Sequence, residues 1–268
     1  MTAGYLQFPN IDPVIFSLGP IALRWYGLMY LIGFVAAMFL ANKAADKSKG
    51  LWNREQVSDL LFYGFLGVII GGRVGYVFFY QFELFLAEPL YLFKIWEGGM
   101  SFHGGLLGVI AAVFIFARRE NKHFLEVGDF VAPLVPIGLG MGRLGNFINS
   151  ELWGRPTDVS WAFVFPSDPL QLPRHPSQLY EFFLEGLVFF IILYVVSQRK
   201  PQLGLLSGLF LIGYGIFRMF VELFREPDDH LGFFFEYISM GQILSLPMVI
   251  VGLIIIIYGS SRQIQKQK

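Results

Sequence analysis

The chain has 268 residues, 55% of them hydrophobic and 15% charged, against roughly 45–50% and about 25% in an ordinary soluble domain, so a soluble fold is not expected. Twenty Lys and Arg stand against twenty Asp and Glu, which excludes the bulk electrostatic footprint of a nucleic-acid binder and leaves any anion recognition local. No cysteine is present, and disulfides, zinc–cysteine sites, iron–sulfur clusters and a protein thiol nucleophile are excluded together.

In chain order, residues 1–20 carry Pro9, Pro13 and Pro20 and form an arm expected to lie in the membrane interface. Met1 to Leu23 hold no Lys or Arg and no small-residue cleavage site after a short apolar core, so a removable signal peptide is not expected. Windows of about 20 apolar residues, the length that crosses ~30 Å of hydrocarbon, fall near 21–41, 57–79, 100–117, 125–144, 178–197, 203–223 and 237–258. The expected fold is an all-α integral membrane protein of seven transmembrane helices forming a single domain over 1–268. Residues 82–93 are too short to span and are assigned to the interface, and residues 146–177, rich in proline and turn signals, form a small external subdomain between spans 4 and 5. Thirty glycines and 18% aromatic residues fit closely packed helices with interfacial rings. No internal repeat, and no pair of broken helices of the inverted-repeat transporter kind, stands out.

Twelve of the twenty basic residues lie in alternate connections: Lys43, Lys47, Lys49 and Arg54; Arg118, Arg119 and Lys122; Arg199 and Lys200; Arg262, Lys266 and Lys268. By the positive-inside rule these connections are cytoplasmic, which puts the N-terminus outside and the C-terminus inside, as seven spans require.

The eight others are Arg24, Arg73, Lys94, Arg143, Arg155, Arg174, Arg218 and Arg225. Arg73, Arg143 and Arg218 lie in apolar stretches, where each costs about 2.5–3.5 kcal/mol at a helix centre if it faces lipid, so they should face the bundle interior. Several guanidinium forks converging inside a membrane point to a phosphate or carboxylate site; neutralisation by a neighbouring Glu is the alternative. Arg218, Glu222 and Arg225 are spaced i, i+4 and i+7, which predicts one shared helix face with an excess of positive charge and Glu222 pinning Arg218. Arg24, Arg73 and Arg225 are weaker anion candidates because each is near enough to a helix end to snorkel. Gly64, Gly67, Gly71, Gly75, Gly204 and Gly208 are assigned to helix contacts.

Of four histidines, His123, His175 and His230 fall in loops and only His103 enters a span. Four nearby glycines (Gly98, Gly99, Gly104, Gly105) are expected to leave room for a substrate beside its imidazole, a group that titrates in the physiological range and could take a proton from a thiol or hydroxyl; a packing role is the alternative. The run Gly140 to Gly145 fits G-x-G-x-x-G but has no strand–helix–strand unit around it, so a dinucleotide site is not expected. Ser101 does not sit in G-x-S-x-G. Asp228 and Asp229 lack further ligands at metal spacing, so no metal and no cofactor is expected.

The segment Gly142-Arg143-Leu144-Gly145-Asn146-Phe147-Ile148-Asn149-Ser150-Glu151-Leu152-Trp153-Gly154 resembles the signature of the prolipoprotein diacylglyceryl transferases. Arg24 to Tyr30, Ser101 to Gly105, His175 to Glu181 and Tyr214 to Asp228 resemble further segments of that family, and the likeness extends over essentially the whole chain. The resemblance implies a seven-span enzyme of the bacterial inner membrane, with N-terminus and active site toward the periplasm. It would move diacylglyceryl from phosphatidylglycerol to the lipobox cysteine of a prolipoprotein signal peptide, forming a thioether and releasing glycerol phosphate. His103, Arg143 and Arg218 are then the expected catalytic residues. Tyr26, Asn146, Glu151, Gly154, Glu222 and Arg225, with Arg143, are the expected substrate-binding set, in a site opening sideways to lipid. A transporter or flippase for an anionic lipid, and a purely structural membrane partner, are the competing functions on the arginines alone.

Overall fold

The computed structural model describes residues 5–19, 21–199, 201–226, 233–234 and 238–267. Lys200, Asp228, Asp229, His230 and Lys268 lie outside them, as do the side chains of Arg262 and Lys266. Helices α1 (Trp25–Lys47), α2 (Arg54–Tyr80), α3 (Phe82–Ala87), α4 (Phe102–Arg119), α5 (Phe124–Val131), α6 (Val135–Ile148), α7 (Ser177–Ser197), α8 (Leu205–Val221) and α9 (Met240–Gln267) dominate. Five of them are long and apolar enough to cross a membrane, six spans if the broken pair α5 and α6 counts as one, while α8 has 17 residues. Large apolar side chains such as Phe39, Phe79, Leu107 and Ile257 are exposed on these helices, as on helices whose backbone is satisfied internally and whose side chains face lipid.

Short strands, which the periodicity does not predict, interrupt the all-α pattern. β2 (Val14–Leu18) and β3 (Ile21–Arg24) form a hairpin. β1 (Leu6–Gln7) pairs with β4 (Phe163–Val164), which pairs with β5 (Pro173–Arg174), so the arm and the 146–177 excursion share one sheet. Phe8, Phe147, Phe163 and Phe165 pack ring on ring beneath it. A last pair, β6 (Phe233–Phe234) with β7 (Ile238–Ser239), precedes α9. Strands of two to five residues carry too few side chains to show a period.

The chain divides into two units, residues 38–128 and residues 1–37 with 129–268. Within 38–128, α2 begins at a capping box of Asn53 and Gln56. Gly67, Gly71 and Gly75 meet Gly104 and Gly108 of α4 backbone to backbone; a Cβ on Gly75 would stand 2.7 Å from the Gly104 Cα. Gly104 is thus consumed by helix packing. Gly64 faces open space and makes no such contact.

Arg73 faces the interior, as its apolar stretch predicts, and does not snorkel to a helix end. It is buried at 3% exposure in the interior of α2. Its guanidinium donates to the carbonyls of Tyr91 (2.6 Å), Leu92 (3.1 Å) and Gly98 (2.5 Å), under the ring of Tyr91. Carbonyl dipoles meet the desolvated charge, with no carboxylate paired to it among the described residues, and the 89–98 segment is tied to the helix.

Within the other unit, α6 and α7 touch at Gly140 and Gly186. α8 and α9 touch at Gly208, Gly215 and Gly252, and Ala132, Phe189, Leu193 and Leu206 form a core. Gly204 holds φ +82° as the N-cap of α8, a conformation glycine adopts without strain, and its amide nitrogen lies 3.9 Å from where a Cβ on Gly259 of α9 would stand. Asp129 replaces the missing cap side chain, accepting from the amides of Gly204 (2.5 Å) and Ser207 (2.8 Å).

Candidate active site

Three arginines converge on one carboxylate. Glu181, in the first turns of α7, has 1% side-chain exposure and receives Arg218 Nη1 at 2.5 Å, Arg143 Nε at 3.3 Å and Arg225 Nη1 at 3.8 Å. Arg218 also meets Glu222 at 2.8 Å, the i, i+4 pair read from the sequence. Arg143 comes from α6 and Arg218 from α8. Arg225 lies past the end of α8 at Val221, which corrects its place on a shared helix face, yet it still reaches the cluster.

A second correction concerns charge. Glu185, one turn along α7 from Glu181, is fully buried and faces Glu181, Arg143, Arg218 and Arg225. With Glu222, three carboxylates stand among these three arginines, where the sequence reading counted only one, and Arg155 adds a guanidinium at the edge, donating to the carbonyls of Arg225 at 2.9 Å and Glu222 at 3.2 Å. Accessibility is uneven. The side chains of Arg143 and Arg218 keep 18% and 13% exposure against 1% for Glu181, so an entering anion meets guanidinium first.

Beside the arginines a polar chain runs from α1 to α7. Tyr26 lies next to Asn146 and Glu151, and its hydroxyl meets that of Tyr30 at 3.2 Å. Asn146 is buried and donates to the Glu151 carboxylate at 2.8 Å. Ser150 and Leu152 both hold φ +57°, a left-handed backbone that is unusual for Ser and strained for Leu. The fully buried Gln178 and Ser177 hold this turn by donating to the carbonyls of Glu151 (2.7 Å) and Leu152 (3.1 Å).

Gly154 is enclosed by protein on both sides. Its amide donates to the His175 carbonyl at 2.8 Å, and a Cβ there would stand 2.7 Å from that same oxygen. This packing joins the 146–177 segment to the end of α8. Nearby, Asp168 takes both arms of Arg174 at 2.6 and 3.1 Å, with Trp153 stacked 3.8 Å above the guanidinium. Burial would raise the Asp168 carboxyl, but Arg174 and the amides of Leu170 and Leu172 outweigh it and hold it below the usual carboxylate range. Burial pushes the His175 imidazole down.

In the 38–128 unit, His103 is exposed at the start of α4. With Tyr76, Tyr80, Met100, Ser101 and Phe102 it lines a cavity of about 320 Å³. Arg24 is exposed at the end of β3. Among the described residues, no three His, Asp or Glu side chains are placed to hold a metal ion.

Glu181, Glu185, Ser177 and Gln178 went unassigned in the sequence reading. Their signal was present: two carboxylates spaced i, i+4 inside an apolar span carry the same cost argument that singled out the arginines.

A mostly helical chain with five helices long and apolar enough to cross a membrane, and an arginine–carboxylate cluster buried among them, is that of a multi-pass membrane protein. The family profile described as prolipoprotein diacylglyceryl transferase matches residues 13–258. Among relatives, the phosphatidylglycerol–prolipoprotein diacylglyceryl transferase of Vibrio cholerae serotype O1 is 66% identical over 269 residues, covering 100% of this chain and 98% of that protein. Proteins of the same name are 64% identical in Vibrio campbellii, with 100% and 98% covered, and 63% identical in Pseudoalteromonas atlantica, with 98% and 94% covered. The chain belongs to the prolipoprotein diacylglyceryl transferase family.

Proposed function

We propose that this protein transfers diacylglyceryl from phosphatidylglycerol to the lipobox cysteine thiol of a prolipoprotein signal peptide, the first step of bacterial lipoprotein maturation. The observation that carries the proposal is the 66% identity, over essentially the full length of both chains, to a relative named for that transfer. The thiolate sulfur attacks the glycerol carbon that bears the phosphate. The carbon–oxygen bond breaks with its electron pair going to the phosphate oxygen, a thioether forms and glycerol phosphate leaves. The nucleophile belongs to the substrate, which suits a chain with no cysteine and needs no covalent enzyme intermediate.

Each residue has a physical task in this reading. A thiol of pKa about 8.5 must lose its proton near pH 7, at a cost of roughly 2 kcal/mol, and His103, exposed on its cavity wall, takes that proton. As the bond breaks the phosphate gains negative charge, which Arg143 and Arg218 stabilise more strongly than in the ground state. Arg225 and Glu222 hold Arg218 and the shared Glu181 in place. Tyr26, Asn146 and Glu151 bind the glycerol headgroup, and Gly154 acts by packing.

The same reading places the chain in the bacterial inner membrane as seven spans, with N-terminus and active site periplasmic and C-terminus cytoplasmic. The five long helices, the broken α5–α6 pair and α8 supply the seven, and the clustering of basic residues in alternate connections supports the orientation. The arm and the 146–177 excursion then form one periplasmic feature, and lipid enters sideways.

Product analysis tests the function. Purified protein given phosphatidylglycerol and a lipobox peptide is expected to yield, by mass spectrometry, diacylglyceryl thioether and glycerol phosphate in equal amounts. Movement of the lipid across a vesicle membrane with neither product would identify a flippase instead.

A further inference from the structure

The transfer reading leaves one buried charge without a task. Glu185 is 0% exposed in the interior of α7, and among the described residues neither of its carboxylate oxygens has a hydrogen-bond partner; Glu181 Oε2 and Glu222 Oε2 also lack a hydrogen bond there, although Arg143 and Arg218 stand beside them. An ionised carboxylate buried without donors is costly unless it is paired or takes a proton. Residues 182–188 wind as a π-helix, a feature often found at functional sites, and this segment carries Glu185.

The groups facing Glu185 set its charge state. They are Glu181 on its own helix, Arg143 from α6, Arg218 and Tyr214 from α8, and Arg225 beyond α8; Glu222 is joined to them through Arg218. Three guanidiniums and three carboxylates sum to zero when ionised. A phosphodiester headgroup brings one further negative charge into this enclosed cluster, with no cation among these groups left to balance it. Addition of one proton to a carboxylate restores neutrality, and Glu185 is the carboxylate whose negative charge the surrounding hydrogen bonds support least.

We propose that Glu185 takes up one proton when a phosphodiester headgroup docks on Arg143 and Arg218, and gives it up when the phosphate leaves. The proposal rests on the transfer reading, since that reading supplies the phosphodiester. The proton comes from solvent on docking and returns there with the product, so headgroup binding is proton-linked. Glu185 acts through the arginines and is a positioning residue for charge.

The test measures binding, separately from turnover. The dissociation constant of phosphatidylglycerol in neutral-lipid nanodiscs is followed from pH 6 to 9, a range in which a phosphodiester stays a monoanion. The wild type is expected to bind at least tenfold more weakly at pH 9 than at pH 6, and Glu185→Gln to vary less than twofold. Wild-type affinity that is flat with pH, or a Glu185→Gln variant that keeps the wild-type slope, would overturn the proposal and leave the transfer reading intact. Should the variant not fold, wild-type calorimetry in two buffers of different ionisation enthalpy decides: about one proton taken up per lipid supports the proposal, and none overturns it. No binding at any pH would overturn the transfer reading, and this inference with it.

Discussion

Arg143→Ala is expected to lower transfer of diacylglyceryl to a lipobox peptide by about 10²–10³-fold, the usual loss when one donor to developing negative charge is removed, while the protein stays folded. Folding should survive because Glu181 keeps Arg218 at 2.5 Å and Arg225 at 3.8 Å. Arg218→Ala is a poorer probe: it strips Glu181 of its closest partner and leaves Glu222 without its ion pair at 2.8 Å. Loss of one partner of a buried pair costs about 3–5 kcal/mol, so instability would be confounded with lost chemistry. Arg143→Lys should fall between, since an ammonium keeps the charge but loses the planar fork. The measurement is the initial rate of thioether formation beside a thermal unfolding trace. Full activity in Arg143→Ala would remove this residue from the site.

For His103→Gln the expected loss is about 10²-fold near neutral pH, at the low end of general-base contributions, and it should shrink as pH rises. The sign follows from the substrate. Below a thiol pKa of about 8.5 the thiolate fraction falls roughly tenfold per pH unit, so a variant without a base depends on that vanishing fraction. Near pH 8.5 half the thiol is ionised unaided and the two enzymes should converge. Glutamine keeps hydrogen-bonding capacity and much of the volume at the wall shared with Tyr76 and Ser101, so packing changes little. A ratio of wild-type to variant rate that is constant from pH 6 to 9 would assign His103 to packing.

Most of each apolar window read from the sequence falls on helix, because a 20-residue apolar run has few other ways to satisfy its backbone, although β3 and β7 take the first residues of two windows and a break divides a third between α5 and α6. The β1–β4–β5 sheet was not legible, since two-residue strands brought together from positions 6 and 163 leave no local pattern. Arg143 and Arg218 were legible as costly charges in apolar segments, and their convergence is now seen on Glu181. The matching argument for Glu181 and Glu185 was available in the same terms. Arg73 was legible as an interior charge but its partners were not: backbone carbonyls from a following loop satisfy it, and no spacing rule reveals which carbonyls will come within reach. Gly154 likewise shows its packing role only once Phe224 and His175 are seen against it.

The central claim is that Arg143 and Arg218 hold the phosphate of the lipid. Determination of the structure with phosphatidylglycerol bound tests it most directly. The phosphorus is expected within one hydrogen-bonded shell of both guanidiniums, with at least one contact to Glu181 lengthened. A headgroup bound elsewhere, with all three arginines still closed on Glu181, would contradict it.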